Sequence, residues 1–120
     1  MKKTVLTGDA AKRFLKNVEP EWKAFWFHMG SAARNLRDLE RELRKSSDQI
    51  FKYHVTPSKN DFSTWVKEVV GDAALSDALK AAKSAKDAAD KVQKRVMELE
   101  TAANKLAGAA VKAAKRGAKK

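Results

Sequence analysis

Cysteine is missing from all 120 residues, which excludes disulfides, thiolate nucleophiles and thiolate metal sites. No apolar run approaches the ~18 residues that a membrane-spanning helix requires. Met1-Lys2-Lys3 has the charge of a signal-peptide opening, but Thr4-Val5-Leu6-Thr7-Gly8-Asp9 is too short and polar to serve as its apolar region. A cytoplasmic protein is therefore expected. The five glycines are scattered, so there is no phosphate-cradling loop. His28 and His54 are the only imidazoles, and without cysteine or an H-E-x-x-H spacing they make a poor zinc site. No cofactor and no metal is expected.

Two further absences divide the chain. No aromatic residue follows Trp65, although nine lie between Phe14 and Trp65. No acidic residue follows Glu100, whereas Lys105, Lys112, Lys115, Arg116, Lys119 and Lys120 are all basic. Aromatic side chains supply much of a small core, so the core is expected in residues 1–71, with residues 72–120 forming a long Ala/Lys-rich helix. The expected fold is mainly α, a small helical head plus a long C-terminal helix. An α+β variant with one short hairpin is the alternative.

The local signals are as follows. Ala11, Phe14, Leu15 and Val18 keep helical spacing over Gly8–Val18, with Thr7 or Asp9 as cap. Ala24–Gly30 reads either as a strand, for which Thr4-Val5-Leu6 is the available partner, or as a helix through Trp22, Phe25, Trp26 and Met29. Ser31 or Asn35 opens the next helix, with Leu36, Leu39 and Leu43 on one face. Arg37, Arg41 and Lys45 lie on the opposite face, joined by Arg34 only if the helix begins at Ser31. A short helix through Ile50, Phe51 and Tyr53 follows Ser46-Ser47-Asp48, and Thr56-Pro57 makes a turn. Asn60 caps a helix burying Phe62, Trp65, Val66, Val69 and Val70, and Gly71 ends it.

From Asp72 the spacing predicts a single helix, about 65 Å long over residues 73–115 at 1.5 Å per residue. Its 3-4 seam contains one stammer, Leu79-Ala82-Ala85. So thin a seam, rich in alanine, calls for a partner helix, from the head or from another subunit along Val92, Val96 and Leu99, and a homo-oligomer through the long helix is expected.

The run Phe51-x-x-His54-Val55, Lys59-Asn60-Asp61-Phe62-x-x-Trp65-Val66 and Val70-Gly71-Asp72 resembles a small domain of unknown function found chiefly in archaeal proteins. Phe25-x-Phe27-His28 and Asn35-Leu36-x-x-Leu39 also suit it, so the resemblance covers roughly residues 21–80. It implies a prokaryotic, intracellular origin and no particular activity. The basic end lies outside it and is similar in composition to the tails of linker-histone-type and bacterial nucleoid proteins.

No enzyme is expected. His54 and Asp61 could meet across the Thr56-Pro57 turn, but a packed histidine and a dipole-favoured helix carboxylate explain both residues. The amides of Gly8-Asp9-Ala10-Ala11 could hold a phosphate, although most such helix starts bind water or a cap. Phe25-Trp26-Phe27 could stack on unpaired bases; a core segment is the preferred reading, with one ring outward if it is a strand.

Charge decides the functional expectation. Twenty-six basic residues against fifteen acidic ones give a net charge of +11, and the last twenty residues carry +6 of it. Such a field attracts polyanions. Lys105, Lys112, Lys115, Arg116, Lys119 and Lys120 form the first candidate surface for nucleic acid. Arg34, Arg37, Arg41 and Lys45 form the second, weighed equally against a solvated face paired with Glu40 and Glu42. The expected function is non-sequence-specific binding of DNA, with RNA as the variant, by a nucleoid-associated or architectural protein. A genome-coating protein within a virion is a close relative of that reading. A helical interaction or oligomerisation module is the alternative. Membrane and small-molecule partners are not expected.

Overall fold

Caps written into the sequence set most of the helix boundaries. The computed structural model describes residues 7–28 and 30–116, the stretch 105–116 as backbone only. Helix α1 (Gly8–Leu15) begins at Thr7, whose hydroxyl accepts the Ala10 N–H at 3.0 Å. It stops three residues short of Val18, because the Val18 N–H donates to the Arg34 carbonyl at 2.7 Å and holds the chain extended there. Val18 is still buried, but from a loop.

Strand β1 (Phe25–Trp26) pairs antiparallel with β2 (Ala32–Ala33), Phe25 opposite Ala33 and Trp26 opposite Ala32. The strand reading therefore stands over the helical one, but the partner is the following segment. Thr4-Val5-Leu6 lies outside the described residues. The hairpin is closed by Phe27 N–H to the Ser31 carbonyl and Gly30 N–H to the Phe27 carbonyl, both 3.0 Å.

Helix α2 (Leu36–Lys45) starts at Asn35, not Ser31. The Asn35 side chain accepts the Asp38 N–H at 2.7 Å while the Asp38 carboxylate accepts the Arg34 N–H at 3.2 Å, a reciprocal cap. Arg34 consequently lies outside the helix. Helix α3 (Asp48–His54) is capped by Ser47. A second hairpin, β3 (Val55–Thr56) with β4 (Lys59–Asn60), forms where only a turn was expected. Helix α4 (Asp61–Trp65), capped by Asn60, continues as a π-helical turn over Val66–Val70. Gly71 ends it at φ 92°, the left-handed conformation that glycine adopts without a Cβ penalty, and its N–H closes on the Val66 carbonyl at 2.7 Å.

The single long helix expected from Asp72 is instead two. Helix α5 (Ala73–Lys80) is capped by Asp72, and helix α6 (Ala85–Arg116) follows a break at residues 81–84. The break falls on the stammer. Ala81 and Ala82 tighten onto the Ala78 and Leu79 carbonyls, and Asn60 Nδ2 gives the Leu79 carbonyl a second hydrogen bond at 3.0 Å. Ser84 then restarts the chain: its hydroxyl accepts the Asp87 N–H, and the Asp87 carboxylate reaches back to the Lys83 N–H, each at 3.0 Å. Alanine and lysine favour helix locally, but one side-chain cap and one tertiary acceptor bond outweigh that preference.

The break changes the packing. Helix α5 folds back on α4, while α6 runs against α1 and α2. The aromatic part of the core ends at Trp65, yet the apolar core continues well beyond Gly71. Leu75, Leu79, Val92 and Leu99 are all buried, and Ala85, Ala88 and Ala89 fill the closer approaches. The seam through Val92, Val96 and Leu99 therefore finds its partner helices in its own chain, with Leu36, Leu39 and Leu43 in the same cluster. Each fully buried leucine or valine contributes about 1.5–3 kcal/mol, so this seam is a principal source of stability. The architecture is mainly α, with two small hairpins among the described residues.

Candidate nucleic-acid interface

The arginine face comes out of the α2 geometry as a paired surface. Arg37, Arg41 and Lys45 recur every four residues on the exposed side of α2. Arg37 bonds to Glu100 of α6. Arg41 lies 3.0 Å from Asp38 and 3.5 Å from Glu42, and Lys45 is 3.4 Å from Glu42. Arg34, off the helix, is 3.6 Å from Glu21. All four cations thus have a carboxylate at hand. The Arg34–Glu21 and Arg37–Glu100 pairs are exposed on both sides and contribute typically 0 to about 1 kcal/mol, so these arginines can exchange for phosphate. Glu42 is buried and would be left uncompensated if Arg41 and Lys45 both departed, so these two are less free. Glu42 was expected from the sequence as a partner, whereas Glu100 was not, because it stands 63 positions from Arg37.

Arg44, which the face pattern omits, ties the helices together. Its guanidinium donates to Glu40 at 2.8 Å, to Asp90 at 3.1 Å and to Gln93 at 3.2 Å. The bonds to Glu40 and then Asp90 raise its pKa above the ordinary arginine value. Asp90 is lowered in turn, first by Lys86 and then by Arg44.

A second unforeseen contact is buried. Arg95 Nε and Nη2 donate to Asp72 Oδ2 and Oδ1 at 2.8 and 3.0 Å, a bidentate pair, and Asp72 Oδ1 also accepts the Leu75 N–H at 3.2 Å. The Asp72 side chain is 1% exposed and that of Arg95 16%. Burial works against the guanidinium charge, but the Asp72 bonds outweigh it and the pKa is raised.

The histidine pair resolves into structure. His54 is buried, with Nδ1 3.0 Å from Asp61 Oδ2 and Nε2 accepting the His28 N–H at 3.0 Å. That second bond requires Nε2 to be unprotonated, so Nδ1 carries the hydrogen and donates to Asp61. Both ring nitrogens are engaged in fastening the β1–β2 connection to α3 and α4, and neither is free to shuttle a proton. Partial burial pushes the Asp61 carboxyl up, but hydrogen bonds from His54 and Lys59 outweigh it and hold the group below its ordinary range. Of the amides opening α1, those of Ala10 and Ala11 are taken by the Thr7 hydroxyl and carbonyl, at 3.0 and 2.9 Å. Among the described residues no group of three or more His, Asp or Glu side chains could hold a metal ion, and no helix is long and apolar enough to cross a membrane.

Compared with protein-family models, curated proteins and solved structures, the chain matches none. The residues of the run from Phe51 to Asp72 have structural duties here. Asn60 caps α4, Phe62 is buried against Phe25 at 4.9 Å, Trp65 Nε1 donates to the Lys23 carbonyl at 2.7 Å, and Asp72 holds Arg95.

The backbone of α6 remains helical through Arg116, so Lys105, Lys112, Lys115 and Arg116 lie on the continuation of a helix whose earlier turns are fixed in the core. Their side chains, with Lys119 and Lys120 entire, lie outside the described residues. Strand alternation sets the aromatic run: Phe25 and Phe27 point inward, while Trp26 points outward and is 63% exposed.

Proposed function

We propose that this protein binds nucleic acid without sequence specificity, through phosphate contacts made chiefly by the basic end of α6. The observation that carries the reading is charge placement: residues 101–120 hold six basic groups and no acidic one, more than half of the net +11. Lysine and arginine there displace condensed counterions from the phosphate backbone. The α2 arginines have carboxylate neighbours to leave first and contribute less. Nothing in the chain resembles a helix set with Asn, Gln and Arg for base edges, which favours backbone contact over base readout. An architectural or genome-coating role suits such binding, and no catalytic step is proposed.

The interaction-module reading draws on the 3-4 seam of α6. That seam is buried within the chain through Leu99, and Ala102 and Ala103 also pack on the core, so a partner helix would have to take the part beyond them.

The test is a gel-shift series on two unrelated duplexes, using the full chain and a truncation after Asn104, which removes all six basic groups and spares the buried seam. If those six contact phosphate, affinity of the full chain falls about 10³-fold between roughly 50 and 200 mM salt, equally on both duplexes. The truncated protein should bind weakly, with a salt slope flatter by up to about 5. Equal binding by the two proteins, or none by the full chain at the lower salt, overturns the proposal.

A further inference from the structure

Among the described residues, four large hydrophobic side chains are exposed: Trp22 at 71%, Trp26 at 63%, Tyr53 at 52%, and Met97. Three of the four are aromatic, and they belong to two segments that the fold brings together. Trp22 sits in the 3-10 turn Glu21–Lys23, Trp26 in β1 and Tyr53 in α3. His28, two residues beyond Trp26, stacks on Tyr53 with ring centroids 3.8 Å apart and planes 9° apart. The buried His54 bond to the His28 backbone fixes that junction. Trp22 and Trp26 are four positions apart, so their Cα atoms are within ~14 Å even if the chain is fully extended.

The surroundings are cationic. Lys23 Nζ lies 5.5 Å from the Trp22 ring, and Lys59 Nζ lies 5.5 Å from the Tyr53 ring. Glu21 is engaged with Arg34 and Asp61 with His54; Asp61 also holds Lys59 at 3.0 Å, so Lys59 exchanges that carboxylate for a phosphate on binding. Burial would be the ordinary fate of such rings in so small a protein, and Phe25, Phe27, Phe51, Phe62 and Trp65 follow it. Flat rings, lysines beside them and no exposed aliphatic among them suit stacking with a polyanion rather than docking of an apolar helix.

We propose that the exposed rings of Trp22 and Trp26, with the His28–Tyr53 stack and Lys23 and Lys59 at its edge, bind unpaired bases of a single-stranded nucleic acid. Bases stack on the open faces of the two tryptophans, and the lysines meet the adjoining phosphates. This deepens the phosphate-binding reading by naming the form of nucleic acid taken, and it uses a surface separate from the basic end of α6.

The experiment titrates the full chain and its Trp26→Ala variant with three probes: oligothymidylate, an abasic deoxyribose-phosphate strand of equal length, and a duplex. Tryptophan fluorescence and anisotropy of labelled strands are the readouts. Trp26 is outside the core, so Trp26→Ala should keep the parent melting temperature. Oligothymidylate should quench the exposed tryptophans and bind more tightly than the abasic strand. Trp26→Ala should weaken oligothymidylate binding roughly ten- to a hundredfold and leave duplex binding unchanged. If Trp26→Ala binds oligothymidylate as the parent does while both retain the duplex, the stacking proposal is wrong and the phosphate reading stands. If oligothymidylate binding depends on Trp26 but the duplex is ignored, the phosphate reading fails alone. If the full chain binds none of the probes, both fail. Loss of self-association in Trp26→Ala, with strand binding unaltered, would make the surface an interface between copies and overturn the proposal.

Discussion

Asp72→Ala removes two things at once, the cap of α5 and the only buried carboxylate holding Arg95 among the described residues. The cap is typically worth ~1 kcal/mol. The larger loss is electrostatic. Arg95 is 16% exposed and would keep only Glu98, at 3.1 Å and half-exposed, as a counter-charge. Breaking a buried pair from one side costs about 3–5 kcal/mol, because the surviving charge stays desolvated without its partner. Against a total stability of about 5–15 kcal/mol for a domain, that loss lowers the melting temperature by roughly 10–25 °C. Asp72→Asn separates the two contributions. Asparagine caps as well as aspartate does, so its cost is the ion pair alone. Replacing both residues, Asp72→Asn with Arg95→Met, should recover much of the loss, since an apolar side chain in place of the guanidinium leaves no charge to solvate. Thermal unfolding followed by circular dichroism, for the single variants and the double, completes the cycle. A loss below ~1 kcal/mol for Asp72→Ala, or additive costs in the double variant, would refute the argument that the pair is desolvated and coupled.

Two other outcomes follow from the packing and the charges. Trp65→Ala should cost about 3–5 kcal/mol, because the ring is buried edge-on to Phe25 at 5.9 Å and its N–H satisfies the Lys23 carbonyl; an unchanged denaturant midpoint would contradict that. Acid should destabilise the fold in part through Asp61: its folded pKa lies below the unfolded one, so its contribution is present above about pH 3.9 and is lost as pH falls through the folded value. The melting temperature of Asp61→Asn should therefore decline less steeply than that of the parent across that window.

Helix caps and apolar spacing were legible because they are local. As caps, Asn35, Ser47, Asn60 and Gly71 each act within five residues of their own position, and each does what its residue type suggests. The break at residues 81–84 was present in the sequence only as a stammer, since the Asn60 bond that stabilises it comes from 19 residues away. The α6 seam announced that it needed a partner but not which one, because periodicity describes one face of a helix and says nothing of the surface opposite. The arginine face had the same difficulty. Its spacing is visible in Arg37, Arg41 and Lys45, and so are the local carboxylates Asp38 and Glu42, whereas Glu100 reaches Arg37 only when α6 docks. Trp26 was a matter of alternation, settled once β1 found Ala32 and Ala33 as its partners.

The docking of α6 on α1 and α2 also dictates an order of events during synthesis. Helix α1 is finished at Leu15, yet the helix that covers it does not begin until Ala85. Ribosomes add about 5–20 residues per second, so the apolar side of α1 and α2 waits several seconds for its cover. Contacts at such sequence separation also close slowly, because loop entropy is lost before burial compensates for it. Through that interval Leu36, Leu39 and Leu43 stand open to any other apolar surface. The nascent chain is thus most prone to aggregation just before α6 emerges, and substitutions in Val92, Val96 or Leu99 should reduce the yield of folded protein more than their equilibrium cost alone would indicate.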